Sequence, residues 1–255
     1  MGVSNPKEDS NQARLDKGAS ARFQTTLWTA VRSAGDHSSP RSEAALAQLC
    51  QTYWMPVYAF IRKRGSPREE AADLTQSFFA KFLEMNTVAR ADRGRGRFRS
   101  FIMSSLGNFL CDEHDRASAL KRGGGKPILS LDFQHAELEF SQESTKPTTP
   151  STTFEKHWAT TLLNRVMQRV EAEQRQNGRG DLFEHLQRHL WGDSDSVPYG
   201  ELARRLGMSM VNLRVSAHRI RQRYREILRE EIADTVDTDA EIEGEIRHLM
   251  RVVSL

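Results

Sequence analysis

The sequence lacks several features that define large classes of proteins, such as many cysteines or long apolar runs. It contains only two cysteines, Cys50 and Cys111, which excludes a disulfide scaffold and a zinc site built from cysteines. No apolar run is long enough to span a bilayer, and the polar start at 1–20 lacks the apolar stretch of a signal peptide. We therefore expect a soluble, reduced, cytoplasmic protein that does not bind membranes.

Lysine is also scarce, since arginine supplies 29 of the 37 basic residues. Arginine binds phosphate or carboxylate through two parallel hydrogen bonds, so this composition favours contacts with anions. The net charge is only +3, but the charges are distributed unevenly. Segments 90–126 and 203–229 carry net charges of +5 and +7, whereas 230–245 holds eight acids and no base. The pattern predicts two anion-binding surfaces, and an acidic segment that is either solvated or covers a basic surface.

Secondary-structure signals are helical throughout, and no segment has a convincing strand pattern. Ser39-Pro40 and Ser66-Pro67-Arg68-Glu69 predict helix starts, and Asn177-Gly178 predicts a helix end. The sequence therefore predicts an all-α fold with two helical domains joined by a flexible linker. The predicted segments are a disordered N-terminus at 1–21, a helical domain at 22–122, a linker at 123–153, a second helical domain at 154–232 and an acidic C-terminal tail with a short helix at 233–255.

Residues 199–225 have the pattern of a helix-turn-helix. The small residue Ala203 is placed where two helices would cross, and Gly207 is at the turn, where a left-handed backbone is needed. Asparagine and arginine pair bidentately with adenine and guanine in the major groove, and further arginines suit phosphates. The candidate DNA contacts are Ser209, Met210, Asn212 and Arg214 at the start of the second helix, followed by Arg219, Arg221 and Arg223. The alternative is an ordinary helical hairpin with a solvated basic face.

Two segments that precede this motif narrow the choice of function. Together with the helix-turn-helix, Asp73–Leu83 and Arg97–Arg116 resemble the bacterial sigma factors of the extracytoplasmic-function (ECF) type, over residues 22–250. The closest likeness is to a long-linker subgroup. Its members share the Arg-Gly-Gly-Gly segment at 122–125, the Ser-Leu-Asp at 130–132 and a C-terminal tail.

The resemblance implies a role for each segment. Asp73–Leu83 would bind the clamp helices of the RNA polymerase β′ subunit, through Asp73, Gln76, Phe79 and Ala80. The following segment would capture and melt the −10 promoter element, since unpaired bases stack on aromatic rings and arginine planes. Its candidate contacts are Arg93, Arg95, Arg97, Phe98, Arg99, Phe101, Asn108 and Arg116. The helix-turn-helix would recognise the −35 element and contact the β flap.

The resulting prediction is a sigma factor, with core RNA polymerase and promoter DNA as partners, no cofactor or metal, and no catalytic activity of its own. An anti-sigma factor is a further candidate partner, and the acidic segment at 230–245 is a candidate for self-inhibition. Two alternatives stay open. One is a helix-turn-helix regulator that acts without polymerase, and the other is a nucleic-acid enzyme that uses Asp112, His114 and Asp115. Phe98 and Phe101 also have an alternative role as core residues.

Overall fold

The structure is a computed structural model, which describes residues 40–84, 97–119, 132–141, 148–190, 197–233, 236 and 239–254. These residues form helices and no strand, which confirms the all-α prediction for the described part of the chain. The helices are α1 (Pro40–Lys63), α2 (Arg68–Glu84), α3 (Phe98–Ala119), α4 (Phe133–Ser141), α5 (Pro150–Gln176), α6 (Gly180–Gln187), α7 (Tyr199–Arg205), α8 (Met210–Ala233) and α9 (Asp239–Val253). The predicted disordered N-terminus at 1–21 lies outside the described residues.

Local signals set the boundary between α1 and α2. Gly65 has a φ of 101°, a left-handed conformation that lets the chain reverse tightly after α1. α2 then begins at Arg68, and the N–H of Ala71 donates to the Pro67 carbonyl over 2.8 Å. Glu69 lies in the first turn, where a carboxylate is stabilised by the positive end of the helix dipole.

Aromatic side chains hold the first three helices together. Phe78 of α2 and Phe109 of α3 have ring centroids 5.6 Å apart, and Tyr53 of α1 and Phe98 of α3 are separated by the same distance. Both pairs meet edge to face, the geometry that the charge distribution of aromatic rings favours. The start of α3 is therefore anchored in the core by Phe98.

α5 has 27 residues and is about 40 Å long. The Thr149 side chain caps its start by accepting a hydrogen bond from the Thr152 N–H over 3.1 Å, and Pro150 occupies the first helical position. Gly178, with a φ of 69°, follows its end. The helix thus begins four residues before the predicted start of the second domain at 154.

α5 packs against helices from both ends of the chain. In its first half, Phe154 stacks on Tyr53 of α1 with ring centroids 6.4 Å apart. In its second half, Arg169 pairs with Glu231 of α8 over 2.7 Å. The buried apolar side chains of the described residues consequently form one connected core, with α5 between the first helices and the helix-turn-helix.

The predicted linker at 123–153 contains a helix that packs on α1. Phe133 of α4 lies against Tyr58, with ring centroids 5.4 Å apart. Glu137 accepts two hydrogen bonds from the Arg62 guanidinium, at 2.7 and 3.0 Å, and these hold the pKa of Glu137 below its usual range. A nine-residue helix gives little periodicity to detect in a sequence. The sequence therefore predicts a linker with little structure at a place where the structure has α4.

His157 on α5 gives the fold a defined pH dependence. Burial, with a smaller contribution from the charge of Lys156, lowers the pKa of His157 from 6.5 to about 4. The unfolded chain binds this proton near pH 6.5 and the folded chain only near pH 4, so the free energy of unfolding decreases as the pH falls through that window. The difference in pKa predicts a loss of about 2 kcal/mol between pH 7 and pH 5.

Urea unfolding at pH 7 and pH 5 measures this loss. The variant His157→Gln is expected to be nearly insensitive to pH over the same interval, whatever its absolute stability. His185→Gln is the matched control, because His185 is exposed on α6. A pH dependence that is the same in His157→Gln and in the wild type would contradict the assignment.

Candidate nucleic-acid interface

α7, a tight turn and α8 form the helix-turn-helix. Gly207 has a φ of 61°, as the turn requires, and the Met208 N–H donates to the Ala203 carbonyl over 3.0 Å to close the end of α7. The hydroxyl of Ser209 accepts a hydrogen bond from the Asn212 N–H over 3.2 Å and caps α8. Ala203 and Leu213 are buried, as expected for the shared core of the two helices.

The start of α8 presents an exposed face. Five of the predicted DNA contacts are exposed, namely Ser209, Met210, Asn212, Arg214 and Arg219. Neither Arg214 nor Arg219 pairs with an acid among the described residues, so both guanidiniums are free to bind an anion. Val211 is 70% exposed and adds an apolar contact. Within the first turns of α8, the exposed amide, guanidinium and apolar group are the types of side chain that pair with the acceptors, donors and methyl groups of base edges in the major groove.

Arg221 and Arg223 make intramolecular contacts instead of facing outward. Arg221 donates to the Leu190 carbonyl over 2.9 Å, and Arg223 makes two hydrogen bonds to Glu173, at 2.7 and 2.8 Å. The second contact raises the pKa of Arg223 and lowers that of Glu173. Both arginines fix α8 against the helices behind it, so in this structure neither is presented to a phosphate.

The predicted polymerase-binding face of α2 is only partly present. Asp73 is exposed, and Gln76 and Ala80 are partly exposed. Phe79, expected on the same face, is fully buried and meets Phe78 with ring centroids 5.2 Å apart. Because these two consecutive residues are both buried, the apolar stripe of α2 is wider than predicted, and the accessible face is more polar.

The predicted −10 contacts fall into separate groups. Arg93 and Arg95 lie outside the described residues. Asn108 and Arg116 are exposed on α3, and Arg116 pairs with Glu113 over 2.7 Å. These two residues lie ten and eighteen positions after Phe98, so they extend along α3 beyond its start.

The start of α3 is covered. Phe98 is 1% exposed, which fits its alternative role as a core residue. Phe101 is partly buried, 6.1 Å from the ring centroid of Phe82. Arg99 is 4% exposed, unlike a side chain ready to stack on a base. In this conformation, of the residues from 97 to 99, only Arg97 is substantially accessible.

A carboxylate from α9 covers this segment. Glu245 pairs with both Arg97 and Arg99. Arg99 also donates to Glu155 of α5 over 3.2 Å, and its guanidinium carbon lies 4.6 Å from the ring centroid of Trp158. His248 of α9 also bonds Glu155. Glu155, Trp158 and His248 are not predicted as functional residues from the sequence, where the run of acids at 230–245 is the one signal of this contact.

Asp112, His114 and Asp115, the candidate residues of the enzyme alternative, are exposed on α3. No group of three His, Cys, Asp or Glu side chains within the described ranges is arranged to hold a metal ion. Asp112, a candidate in the enzyme alternative, pairs with Lys81 over 3.3 Å at the surface. Burial raises the pKa of the Cys50 thiol to about 12, so it is protonated at neutral pH. Among the helices that the structure describes, none combines the length and apolar character needed to cross a membrane.

Comparisons of the chain with models of protein families, with curated proteins and with solved structures found no match.

Proposed function

We propose that this protein is a sigma factor, which binds core RNA polymerase and directs it to promoter DNA. The observation that carries the proposal is the exposed start of α8, where Asn212 and Arg214 follow a capped first turn. A recognition helix enters the major groove with its N-terminal residues against the bases. This helix would recognise the −35 element, and the same unit would contact the β flap.

The first three helices would supply the second set of contacts. The exposed Asp73 and the partly exposed Gln76 and Ala80 lie on a face of α2 that is accessible to the β′ clamp helices. α3 would bind the −10 element, with Asn108 and Arg116 already exposed. The two halves of the chain would then act as two DNA-binding domains on one polymerase. The protein would have no catalytic role, because polymerase carries out the reaction.

Transcription with purified components tests the proposal. The full chain is added to sigma-free core polymerase with a library of upstream sequences, and run-off transcripts that depend on the protein are the expected result. Asp73→Arg is expected to reduce these transcripts about tenfold, which corresponds to ~1.4 kcal/mol of lost core binding. Asp181→Arg is the matched control, because Asp181 is an exposed acid on α6, away from the proposed contact.

A second candidate is a helix-turn-helix regulator that acts without polymerase. It is favoured by one observation, that the start of α8 is exposed while the start of α3 is covered by α9. The folded chain is thus ready to bind duplex DNA but not to hold unpaired bases. Sequence-specific binding to duplex DNA, with no transcripts and no co-elution with core polymerase, would favour this candidate and contradict the first.

A further inference from the structure

We propose that α9 is an internal competitor of DNA, which occupies the −10 surface of α3 with the Glu245 carboxylate in the place of a DNA phosphate. The proposal deepens the proposed function and rests on it, because it assigns that surface to single-stranded promoter DNA. On this proposal the described conformation is a closed state. In it the start of α8 can bind duplex DNA, whereas the start of α3 cannot bind unpaired bases.

The geometry around Glu245 is that of an anion-binding site. One carboxylate oxygen pairs with Arg97 and the other pairs with Arg99, so two guanidiniums converge on one anion. Two non-bridging oxygens of a phosphate present the same arrangement of acceptors, and a guanidinium pairs with both kinds of anion. Glu245 Oε1 pairs with Arg97 but has no hydrogen-bond partner among the described residues, so this half of the site has an acceptor to spare. Trp158 lies under Arg99 and keeps its guanidinium in place. The site would therefore accept a phosphate without being rebuilt.

Exchange of one anion for another avoids the main cost of opening this site. The side chains of Arg99 and Glu245 are 4% and 1% exposed. Loss of Glu245 with nothing in its place would leave two guanidiniums, those of Arg97 and Arg99, with Glu155 as the acid beside Arg99. If DNA phosphate enters as the carboxylate leaves, the guanidiniums keep an anionic partner throughout. Glu155 also remains beside Arg99 during the exchange.

The accessibility of Arg97 provides a starting point for that exchange. Its side chain is 43% exposed, although it pairs with the buried Glu245. A DNA strand can therefore bind Arg97 first and then displace the carboxylate from Arg99. In this order of events the polyanion is attracted to the surface before α9 has moved.

α9 is held by one apolar stripe and by ion pairs of Glu243 and Glu245. Ile242, Leu249 and Val252 are its buried apolar side chains, and the partly buried Ile246 packs on the same core. Five residues, 234–238, connect it to α8, so a released α9 stays close to its site at a high effective concentration. Closure after DNA has left would therefore be rapid and would need no other protein.

The same helix offers a matched control. Glu243 pairs with Arg229 of α8, and both side chains are about half exposed, at 47% and 50%. Glu243→Gln removes the same charge from the same helix as Glu245→Gln, but does not touch α3. A difference in DNA affinity between Glu245→Gln and Glu243→Gln therefore comes from the contact with Arg97 and Arg99 and not from the change in net charge.

Binding of single-stranded DNA is the first test. The full chain and its two variants are titrated into a fluorescent 30-nucleotide single strand of random sequence at constant salt, and anisotropy is recorded. Glu245→Gln is expected to bind about tenfold more tightly than the wild type, and Glu243→Gln within twofold of it. A folded Glu245→Gln that binds no more tightly than Glu243→Gln would overturn the proposal.

Hydrogen–deuterium exchange is a second test. It is measured on the wild-type chain, so its result does not depend on whether a variant folds. Addition of the same single strand at saturation is expected to increase exchange in 239–253 at least fivefold, while the buried part of α8 stays protected. Bound DNA that leaves exchange in α9 unchanged would overturn the proposal, as would the absence of any binding. If run-off transcripts are formed but exchange in α9 does not change when DNA binds, this inference is refuted and the sigma-factor proposal is not. If exchange in α9 increases but no transcripts are formed, the sigma-factor proposal is refuted.

Discussion

Replacement of Phe154 by alanine is expected to lower the free energy of unfolding by about 3–5 kcal/mol, the range for removing a fully buried aromatic side chain. Phe154 is 0% exposed and stacks on Tyr53, at the contact between α5 and α1. Urea unfolding followed by circular dichroism measures the loss. Leu138→Ala is the control, because Leu138 is 61% exposed on α4 and its truncation is expected to cost less than about 0.5 kcal/mol.

The same variant tests whether the two halves of the chain unfold together. Since α5 joins both halves in one core, Phe154→Ala is expected to reduce the protection of amide protons in α2 and in α8 by similar amounts. The wild type is expected to unfold in a single transition. Two transitions, with protection lost only in the first three helices, would contradict the shared core and support two independent domains.

Replacement of Asn212 or Arg214 by alanine is expected to weaken binding to a selected duplex about 5- to 150-fold, equivalent to 1–3 kcal/mol for each bidentate base contact. Both residues are exposed near the start of α8. The duplex is selected from a random library with the wild type, and the selection is repeated with each variant. We expect relaxed preference at one or two base pairs in each variant, because a lost base contact removes discrimination at that position.

Arg225→Ala is the control for this experiment. Arg225 is exposed further along α8, where we expect a side chain to contact phosphate and not base edges. It is expected to weaken binding evenly across sequences and to reduce the salt dependence by about one ion. If Arg214→Ala behaved in the same way as Arg225→Ala, the start of α8 would not be the part of the protein that recognises sequence.

Helix boundaries could be predicted from the sequence because their signals are local. The start of α2 at Arg68 follows from the serine and proline before it, and the turn at Gly207 follows from one glycine between two helices with apolar residues at helical spacing. The all-α class follows from periodicity in the same way. These features depend on residues within a turn or two of one another, which a sequence places side by side.

Features that depend on distant partners could not be predicted in this way. Arg99 is interpreted as exposed from its sequence context, since arginine is rarely buried unless it is paired. Its partner Glu245 is 146 positions away, and no local pattern indicates their contact. The burial of Phe79 and the shared core of α5 have the same cause, because both depend on which helices pack together.

The arginines of α8 show why a count of charges does not define an interface. Arg221 is four residues after the buried Ala217, and Arg223 is four residues before the buried Ile227. Residues four apart are neighbours on a helix surface, so the two arginines lie at opposite edges of the buried face, where each can reach the helices behind α8. Arg219 and Arg225 lie on the exposed side. The sequence shows on which side of α8 each arginine lies only if the buried positions of the helix are already known.

The docking of α4 on α1 limits how far α5 and the helices after it could move from the first three helices if the packing of α5 against α1 were released. While Glu137 holds Arg62, only residues 142–149 connect the first half to α5, and eight extended residues reach at most about 29 Å. If this ion pair opens and α4 detaches, the connection lengthens to 30 residues, from 120 to 149, with a reach of about 100 Å. One short helix therefore sets the length of the connection between the two halves of the chain once α5 has separated from α1.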